Sequence, residues 1–152
     1  NAHFIEKYYG IRKWHDKLQT EAIKNKTITL PTGRQFAFPN ARRTKTGGST
    51  NATKIKNYPV QALATADIVP LCLVALRDAL LKNKLKSTIV NTVHDSVLLD
   101  CLNEEVDAVK KLVEDVLSPT STKDRIHLYY NINMNVPLII ETKTGDNWLD
   151  MS

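Results

Sequence analysis

The chain has 152 residues, of which 42% are hydrophobic and 24% charged, a composition typical of a soluble globular domain. Twenty-one Lys and Arg against sixteen Asp and Glu give a net charge of +5, which suits a polyanionic partner without requiring one. The two cysteines, Cys72 and Cys101, have no metal-ligand spacing and form no disulfide framework, which favours a reducing compartment. No apolar run approaches the roughly 18 residues of a membrane span and no signal peptide is visible, so we expect no membrane partner.

The first third of the chain predicts a helix, a small hairpin and a loop. Residues 3–24 carry apolar side chains at helical spacing on one face, with Lys, Arg and Asp between them. These apolar positions are Phe4, Ile5, Tyr8, Ile11, Trp14, Leu18 and Ala22. Residues 27–39 form two short β-type runs around a Pro-Thr-Gly turn, and residues 40–52 are polar, basic and glycine-containing, as in a loop.

The middle of the chain predicts one long helix and a second hairpin. The segment 53–85 is largely apolar and rich in Ala and Leu, and its prolines, Pro59 and Pro70, are expected to kink or start the helix. Two β-type runs, 88–93 and 96–101, then flank a two-residue turn.

The last third predicts a helix, a loop and a final strand. Asn103 resembles an N-cap with two Glu residues in the first turn of a helix that extends to Leu117. Residues 118–125 are predicted to be a loop, and residues 136–142 a last strand. Because helices and antiparallel strands come in blocks, we expect an α+β fold with an antiparallel sheet and a long helix.

The tip of the second predicted hairpin reads His94-Asp95-Ser96, whereas a tip that only turns the chain more often uses Asn-Gly or Asp-Gly. Its arms are aliphatic and are predicted to be largely buried, so Asp95 would stand at the rim of an apolar sheet and need a partner. A divalent cation fits, because magnesium binds through one or two carboxylates together with substrate phosphates. An ordinary turn stays open as the alternative, since Asp and Ser are common turn formers.

The long predicted helix offers a second set of polar side chains. Asn57 and Gln61 lie four residues apart and share a face if the helix continues through Pro59. Amides suit base edges in a groove with degenerate readout, and Lys54, one turn earlier, suits a phosphate. Arg34, beside Gly33 at the predicted turn, suits a phosphate too, but a single exposed Arg more often has no binding role. Alternatively, Asn57 only caps a helix that starts near Pro59, and Gln61 is solvated.

Six stretches, in order and with family-like spacing, resemble family A DNA polymerases, the group of the bacterial repair polymerase and many phage replicases. They are FIEKYYGIRKW (4–14), TGRQFAFP (32–39), NYPVQALATADI (57–68), VHDS (93–96), VPL (136–138) and GDNW (145–148). The resemblance covers essentially the whole chain. It implies a DNA-directed DNA polymerase, a nucleotidyltransferase, with residues 1–60 as the C-terminal part of the fingers and residues 61–152 as the C-terminal part of the palm.

The resemblance also implies roles at the hairpin. Asp95 corresponds to the later of two palm aspartates that hold two Mg²⁺ ions in the complete enzyme. His94 corresponds to the histidine beside the primer 3′ end, where it contributes to catalysis and to nucleic-acid binding. Most of the family has Glu where this chain has Ser96, so a hydroxyl replaces a negative charge next to the metal ligand.

Outside the hairpin, Asn57 and Gln61 correspond to amides that touch the primer–template duplex from its minor groove. Arg34 corresponds to the Gly-Arg turn near the nucleic acid. Thr53 replaces a family Arg, for which the neighbouring Lys54 could compensate on a different face. Val136, Leu138 and Trp148 match positions that we expect to anchor the palm core. Further departures, Gln35 for a second Arg and Ala62 for a Gly, suggest a phage-like or otherwise divergent branch.

Two family motifs do not occur in the sequence: the strand with the first palm carboxylate, and the fingers helix with its Lys and Tyr. We therefore expect a C-terminal fragment of a polymerase that is inactive alone. Its expected partners are primer–template DNA, deoxynucleoside triphosphates and the upstream portion of the polymerase, in the cytoplasm of a bacterium or phage-infected cell, with an organelle also open. A non-catalytic DNA-binding module with a polymerase-palm fold and a purely structural domain remain alternatives.

Overall fold

The computed structural model describes residues 6–151 and combines α-helices with two short antiparallel sheets, which confirms the α+β class. The chain divides into two compact units, Asn1–Ala66 and Asp67–Ser152, called here the first and second unit. Two predicted positions of the first helix, Phe4 and Ile5, lie outside the described residues.

The first long helix in the described part of the first unit is α1 (Tyr9–Asn25), which ends where Lys26 adopts the left-handed conformation with φ 59°. Strand β1 (Thr27–Thr29) then pairs antiparallel with β2 (Gln35–Ala37), so the predicted small hairpin is confirmed. Helix α2 (Ala52–Gln61) completes the unit. A core formed by these elements and the loop before α2 consists of Leu18, Ala22, Ile28, Phe38, Ala41 and Ile55.

The long helix predicted over 53–85 is present as three continuous segments. Helix α2 passes through Pro59 and leads into a π-helical segment, Ala62–Ile68, which is followed by helix α3 (Val69–Lys82). A proline inside a helix cannot donate to the ladder of hydrogen bonds, and an i→i+5 segment is another local departure from α geometry. The sequence pattern predicted the helix but not its π-helical segment.

The helical run Ala52–Lys82 is 31 residues long and contains an 18-residue window with a mean hydropathy of 1.7. By length and composition alone it passes as a candidate membrane span, which corrects the expectation that no apolar stretch approaches that length. The core helix of a soluble protein passes the same test, and two residues on this run, Ile55 and Leu76, are buried with 0% and 1% of their surface exposed. Only 28% of that window is buried, so core packing accounts for part of the apolar character of the run.

The second unit is built on helix α3, a hairpin and helix α4 (Val106–Val116). Strands β3 (Thr88–Val93) and β4 (Ser96–Asp100) pair antiparallel, with an irregularity between Ile89 and Asn91. One face of the hairpin packs on the two helices. The core there consists of Leu76, Leu80 and Val109, with Leu85, Ile89, Val97, Leu99, Cys101, Leu112 and Val113 packed around it.

The start of α4 corrects one expectation. Asn103 does not cap this helix but begins a short 3₁₀ turn, Asn103–Glu105, without a side-chain cap hydrogen bond. Instead, the Glu105 carboxylate accepts hydrogen bonds from the backbone N–H of Lys86 (3.0 Å) and from both the N–H (2.8 Å) and hydroxyl (2.6 Å) of Ser87. Since Ser87 directly precedes β3, these bonds tie the start of the hairpin to the start of α4.

We expect Glu105→Gln to lower the urea midpoint of unfolding at neutral pH. The hydrogen bond from the Lys86 N–H, followed by those from Ser87, holds the pKa of Glu105 below its ordinary value of 4.5. A carboxyl whose pKa is depressed by folding stabilises the protein above its unfolded pKa, and this contribution is lost as the pH falls through the folded pKa. The difference between wild type and Glu105→Gln should therefore shrink below a pH of about 4.5, as measured by urea titrations at several pH values.

Glu104→Gln provides the control, because it removes the same charge from the neighbouring, exposed position. A midpoint difference for Glu105→Gln that stays constant from neutral to acidic pH would contradict the role of its carboxylate.

The prediction of a loop over residues 118–125 is wrong, because Pro119–Tyr130 forms helix α5. The hydroxyl of Ser118 accepts a hydrogen bond from the Ser121 N–H (3.3 Å) at the N-cap, and Pro119 lies at the first helical position. A Ser-Pro pair is a recognised helix start, because serine satisfies a free N–H and proline has none to satisfy. The signal was present in the sequence, and the polar composition of the stretch obscured it.

The predicted strand 136–142 is also absent, and no strand in the described part of the chain pairs with it. A strand needs a partner for its backbone groups, and Pro137 cannot donate to one. The expected core anchors Val136 and Trp148 are 61% and 53% exposed, so the described residues do not bury them. Leu138 is half-buried.

The GDNW stretch forms a tight turn into a short 3₁₀ helix, Trp148–Met151. The side-chain oxygen of Asn147 accepts hydrogen bonds from the N–H groups of Leu149 (3.0 Å) and Asp150 (3.3 Å). A Cβ at Gly145 would lie 2.8 Å from the Cβ of Asp150, so the turn needs glycine at this close approach.

Candidate functional site

His94 and Asp95 form the two-residue turn between β3 and β4, as the sequence predicted. The pair Val93 and Ser96 closes the turn, and the Ser96 hydroxyl donates to the Val93 carbonyl oxygen (2.8 Å). His94 adopts the left-handed conformation with φ 54°. A non-glycine residue in that region costs about 1–2 kcal/mol, and such strain concentrates at functional sites.

The Asp95 side chain is exposed at the hairpin tip. This corrects the expected poorly solvated rim, because Val90 and Val93 on the neighbouring strand are 52% and 41% exposed. An exposed carboxylate fits the role of a single Mg²⁺ ligand, since magnesium keeps several waters and takes one or two carboxylates. Among residues 6–151, no group of three or more His, Cys, Asp or Glu side chains could hold a metal ion. Asp95 can therefore supply only part of a metal site.

An open cleft of about 1220 Å³ lies beside the hairpin in the second unit. Strand β4, helix α4 and the segment 139–148 line it, and Asp95 and Ser96 reach its border. Its lining mixes charged, polar and aliphatic side chains, and it brings the hairpin tip next to a space large enough for a ligand.

In the first unit, Lys54, Asn57 and Gln61 are exposed on α2, whereas Ile55 and Pro59 are buried. Because α2 continues through Pro59, the amides of Asn57 and Gln61 lie one turn apart on the same side, as the helical spacing predicted. The alternative that Asn57 caps the helix is wrong, since Asn51 occupies the N-cap position. The face formed by Lys54, Asn57 and Gln61 is called here the amide face.

Arg34 lies in the predicted turn between β1 and β2, next to Gly33 with φ 87°. Its Nη2 donates a hydrogen bond to the carbonyl oxygen of Ala66 (3.1 Å), within the π-helical segment. A carbonyl of a π-helical segment can accept such a bond from outside the helix. Through this bond Arg34 links the turn between β1 and β2 to the π-helical segment. The sequence suggested only a phosphate contact for this residue.

The charges are distributed very unevenly along the chain. Residues 1–66 carry twelve Lys and Arg against three Asp and Glu, a net charge of +9, whereas residues 67–152 carry nine against thirteen, a net charge of −4. Burial, followed by the positive charge of Lys56, lowers the pKa of His15 in the first unit. Electrostatic attraction for a polyanion is therefore concentrated in the first unit, which the overall charge of +5 did not reveal.

The environment of the two cysteines does not favour thiolate chemistry. Cys72 and Cys101 are both free, and burial raises the pKa of each thiol. A raised pKa disfavours the thiolate, which is the nucleophilic and metal-binding form.

The candidate residues thus fall into two groups. His94, Asp95 and Ser96 lie together at the hairpin tip in the second unit, and the amide face and Arg34 belong to the first unit.

Comparison with known proteins gives a consistent result. A family model described as DNA polymerase family A matches residues 1–150. The chain is 30% identical over 149 residues to DNA polymerase I of Lactococcus lactis subsp. lactis (strain IL1403), covering 97% of this chain and 16% of that protein. It is 29% identical over 154 residues to DNA polymerase I of Caldicellulosiruptor bescii, covering 98% and 17%. The chain therefore spans about a sixth of the length of these relatives.

A solved structure has the same fold. The POL domain of Pol1 from M. smegmatis, in complex with DNA primer-template and dNTP, matches with a TM-score of 0.77 at 20% identity. The match covers 97% of this chain and 24% of that chain. Because the family model covers nearly the whole sequence, the chain belongs to DNA polymerase family A.

Proposed function

We propose that this chain forms part of a DNA-directed DNA polymerase that adds deoxynucleotides to a primer 3′ end by two-metal phosphoryl transfer, and that it is incomplete on its own. The proposed domains are the C-terminal part of the fingers, residues 1–60, and of the palm, residues 61–152. The observation that carries the proposal is the exposed Asp95 at a strained two-residue hairpin tip in a chain of this family.

In the proposed mechanism, Asp95 holds Mg²⁺ together with a carboxylate from the upstream portion of the polymerase. When bound, two such ions would supply charge that lowers the pKa of the primer 3′-hydroxyl and offsets the charge on the leaving pyrophosphate. His94 orients the primer terminus through its imidazole. The Ser96 hydroxyl, bonded to the Val93 carbonyl, stiffens the turn that carries both side chains.

The amide face supports binding of the primer–template duplex. Asn57 and Gln61 can each donate to and accept from base edges in the minor groove, where the same acceptor pattern recurs for different base pairs. Lys54 adds a phosphate contact from the same exposed side of α2. These contacts can position the duplex whatever its base sequence. A polymerase needs contacts of this kind. The proposed setting is the cytoplasm of a bacterium or phage-infected cell.

A second candidate function is a non-catalytic DNA-binding module. The first unit's net charge of +9 supports it. Such a module would bind DNA whether or not magnesium is present.

Primer extension by the reconstituted enzyme tests the proposal. Three samples would be incubated with primer–template DNA, deoxynucleotides and Mg²⁺. One contains the chain alone, and one contains an upstream fragment of the same polymerase that carries the first carboxylate and the fingers helix. The third contains both. We expect extension only when both are present, because neither alone supplies both carboxylates.

Binding of DNA by the chain, without extension in the mixture, would favour the non-catalytic module. A lack of DNA binding even at low salt would favour a structural domain. Extension by the chain alone would contradict its proposed incompleteness.

A further inference from the structure

The loop between β2 and α2 contains a compact hairpin that no motif of the sequence analysis singled out. Arg43 and Ser49 form an isolated antiparallel bridge, and the Thr50 N–H donates to the Arg42 carbonyl oxygen (3.0 Å). At the tip, the Thr44 N–H donates to the carbonyl oxygen of Gly48 (2.9 Å). Residues 42–50 are called here the basic hairpin.

The basic hairpin is fastened to the body of the first unit. The side-chain oxygen of Gln19, on α1, accepts a hydrogen bond from the Ser49 N–H (3.1 Å). Thr50 donates its hydroxyl to the Asn40 carbonyl oxygen (2.9 Å), and the same hydroxyl oxygen accepts from the Arg42 N–H (3.1 Å). Backbone groups at the base of the hairpin are thus held in place, which reduces the entropy lost when a ligand binds.

The side chains that this hairpin displays are cationic. Arg42, Arg43 and Lys45 are all exposed. Between Glu21 and Asp67 the sequence contains no Asp or Glu, so no carboxylate near them in the sequence compensates these charges. Three cations on a braced loop, far along the chain from any acid, form a local positive potential that favours an anionic ligand.

Phosphate is the anion that these groups fit best. Guanidinium groups present their N–H donors in a planar fork that matches phosphate oxygens. Arg43 donates one Nη1 hydrogen bond to the Gly47 carbonyl oxygen (3.2 Å), which aligns its guanidinium along the hairpin while using only one of its five donors. Thr44 and Thr46, whose hydroxyl oxygens lie 3.1 Å apart, add polar groups at the tip.

We propose that the basic hairpin binds the sugar–phosphate backbone of duplex DNA, as a second contact besides the amide face. The inference deepens the proposed function and rests on it for the identity of the duplex. A repeating line of phosphates suits three adjacent cations that carry no means of base readout. The hairpin would therefore contribute affinity without sequence preference.

The test is the salt dependence of DNA binding by the full 152-residue chain. The triple variant Arg42→Ala, Arg43→Ala, Lys45→Ala is compared with wild type on primer–template DNA between about 50 and 200 mM salt. Each lost phosphate contact should reduce the slope of log K against log salt by about 0.9, so we expect a decrease of about 2.7 and binding at least about tenfold weaker.

The matched control removes three exposed cations from the second unit, Lys82→Ala, Lys86→Ala and Lys111→Ala, and should leave the slope unchanged. The pair Arg42→Lys, Arg43→Lys keeps the charges and should retain most of the slope. Circular dichroism of each variant reports whether the chain still folds. If the alanine triple does not fold, the triple Arg42→Gln, Arg43→Gln, Lys45→Gln removes the same charges while keeping long polar side chains, and we expect the same decrease in slope.

An unchanged slope in the folded alanine triple would overturn the proposal. Equal loss of slope in the control triple would do so too, because the effect would then come from net charge. Equally tight binding of polyglutamate would indicate an acidic protein partner and also overturn it. Binding is measured without turnover, so a decrease in slope would support DNA binding by the basic hairpin even if reconstitution yields no primer extension. Primer extension together with an unchanged slope would reject the role of the basic hairpin and leave the proposed function intact.

Discussion

Replacing Asp95 with Asn in the complete polymerase should reduce primer extension by about a thousandfold or more. The substitution keeps the size and shape of the side chain and removes only its charge. A carboxylate that holds a metal ion contributes several kcal/mol of transition-state stabilisation, and each 1.36 kcal/mol corresponds to about tenfold in rate. Steady-state primer extension with saturating deoxynucleotides measures the effect.

DNA affinity should change by less than about twofold in the same variant, because phosphate and groove contacts come from other side chains. The matched control is Asp107→Asn, which removes another exposed carboxylate, on α4, that does not line the cleft. We expect this control to retain nearly full activity. Near wild-type extension by Asp95→Asn, or equal losses in both variants, would contradict the catalytic assignment.

Ile55→Ala should destabilise the first unit by about 2–5 kcal/mol, the range typical of removing a fully buried isoleucine. Ile55 is 0% exposed and packs in the cluster that joins α1, the β1–β2 hairpin and α2. The free energy of unfolding of a domain is typically only about 5–15 kcal/mol, so this loss would remove a large part of it. Urea unfolding followed by circular dichroism measures it.

The same substitution should weaken DNA binding, because Ile55 holds the inner side of the helix whose outer side carries Asn57 and Gln61. Val60→Ala is the control, since Val60 is on the same helix but 56% exposed. We expect the control to change stability by less than about 0.5 kcal/mol, as is usual for surface substitutions. A similar loss of stability in both variants would show that burial of Ile55 is not the cause.

Much of the candidate site follows from local pattern. The aliphatic runs on both sides of His94-Asp95 predict a hairpin with Asp95 at its tip, and the structure has that turn. The four-residue spacing of Asn57 and Gln61 predicts a shared face, which requires only that the helix continue through Pro59. Both features depend on neighbours within a few residues, and such neighbours are visible in a sequence.

Other features depend on residues distant along the chain. Burial of the hairpin arms was overestimated, because aliphatic composition cannot reveal whether another element covers Val90 and Val93. The segment 136–142 has the composition of a strand and no partner among the described residues, and a strand is defined by its partner. Helix α5 is the opposite case, in which a Ser-Pro start outweighed a loop-like composition.

Six ordered motifs in the sequence are enough to indicate the family, and local patterns indicate the turn that holds Asp95 and the helix that carries the amide face. These features depend on the order of residues along the chain and on patterns that repeat over a few residues. Three contacts become visible only in the folded chain. Glu105 ties α4 to the start of β3, Arg34 donates to the Ala66 carbonyl oxygen, and Gln19 fastens the basic hairpin to α1. Each of these is a hydrogen bond between residues 18 to 32 positions apart, and its partners become neighbours only when the chain folds.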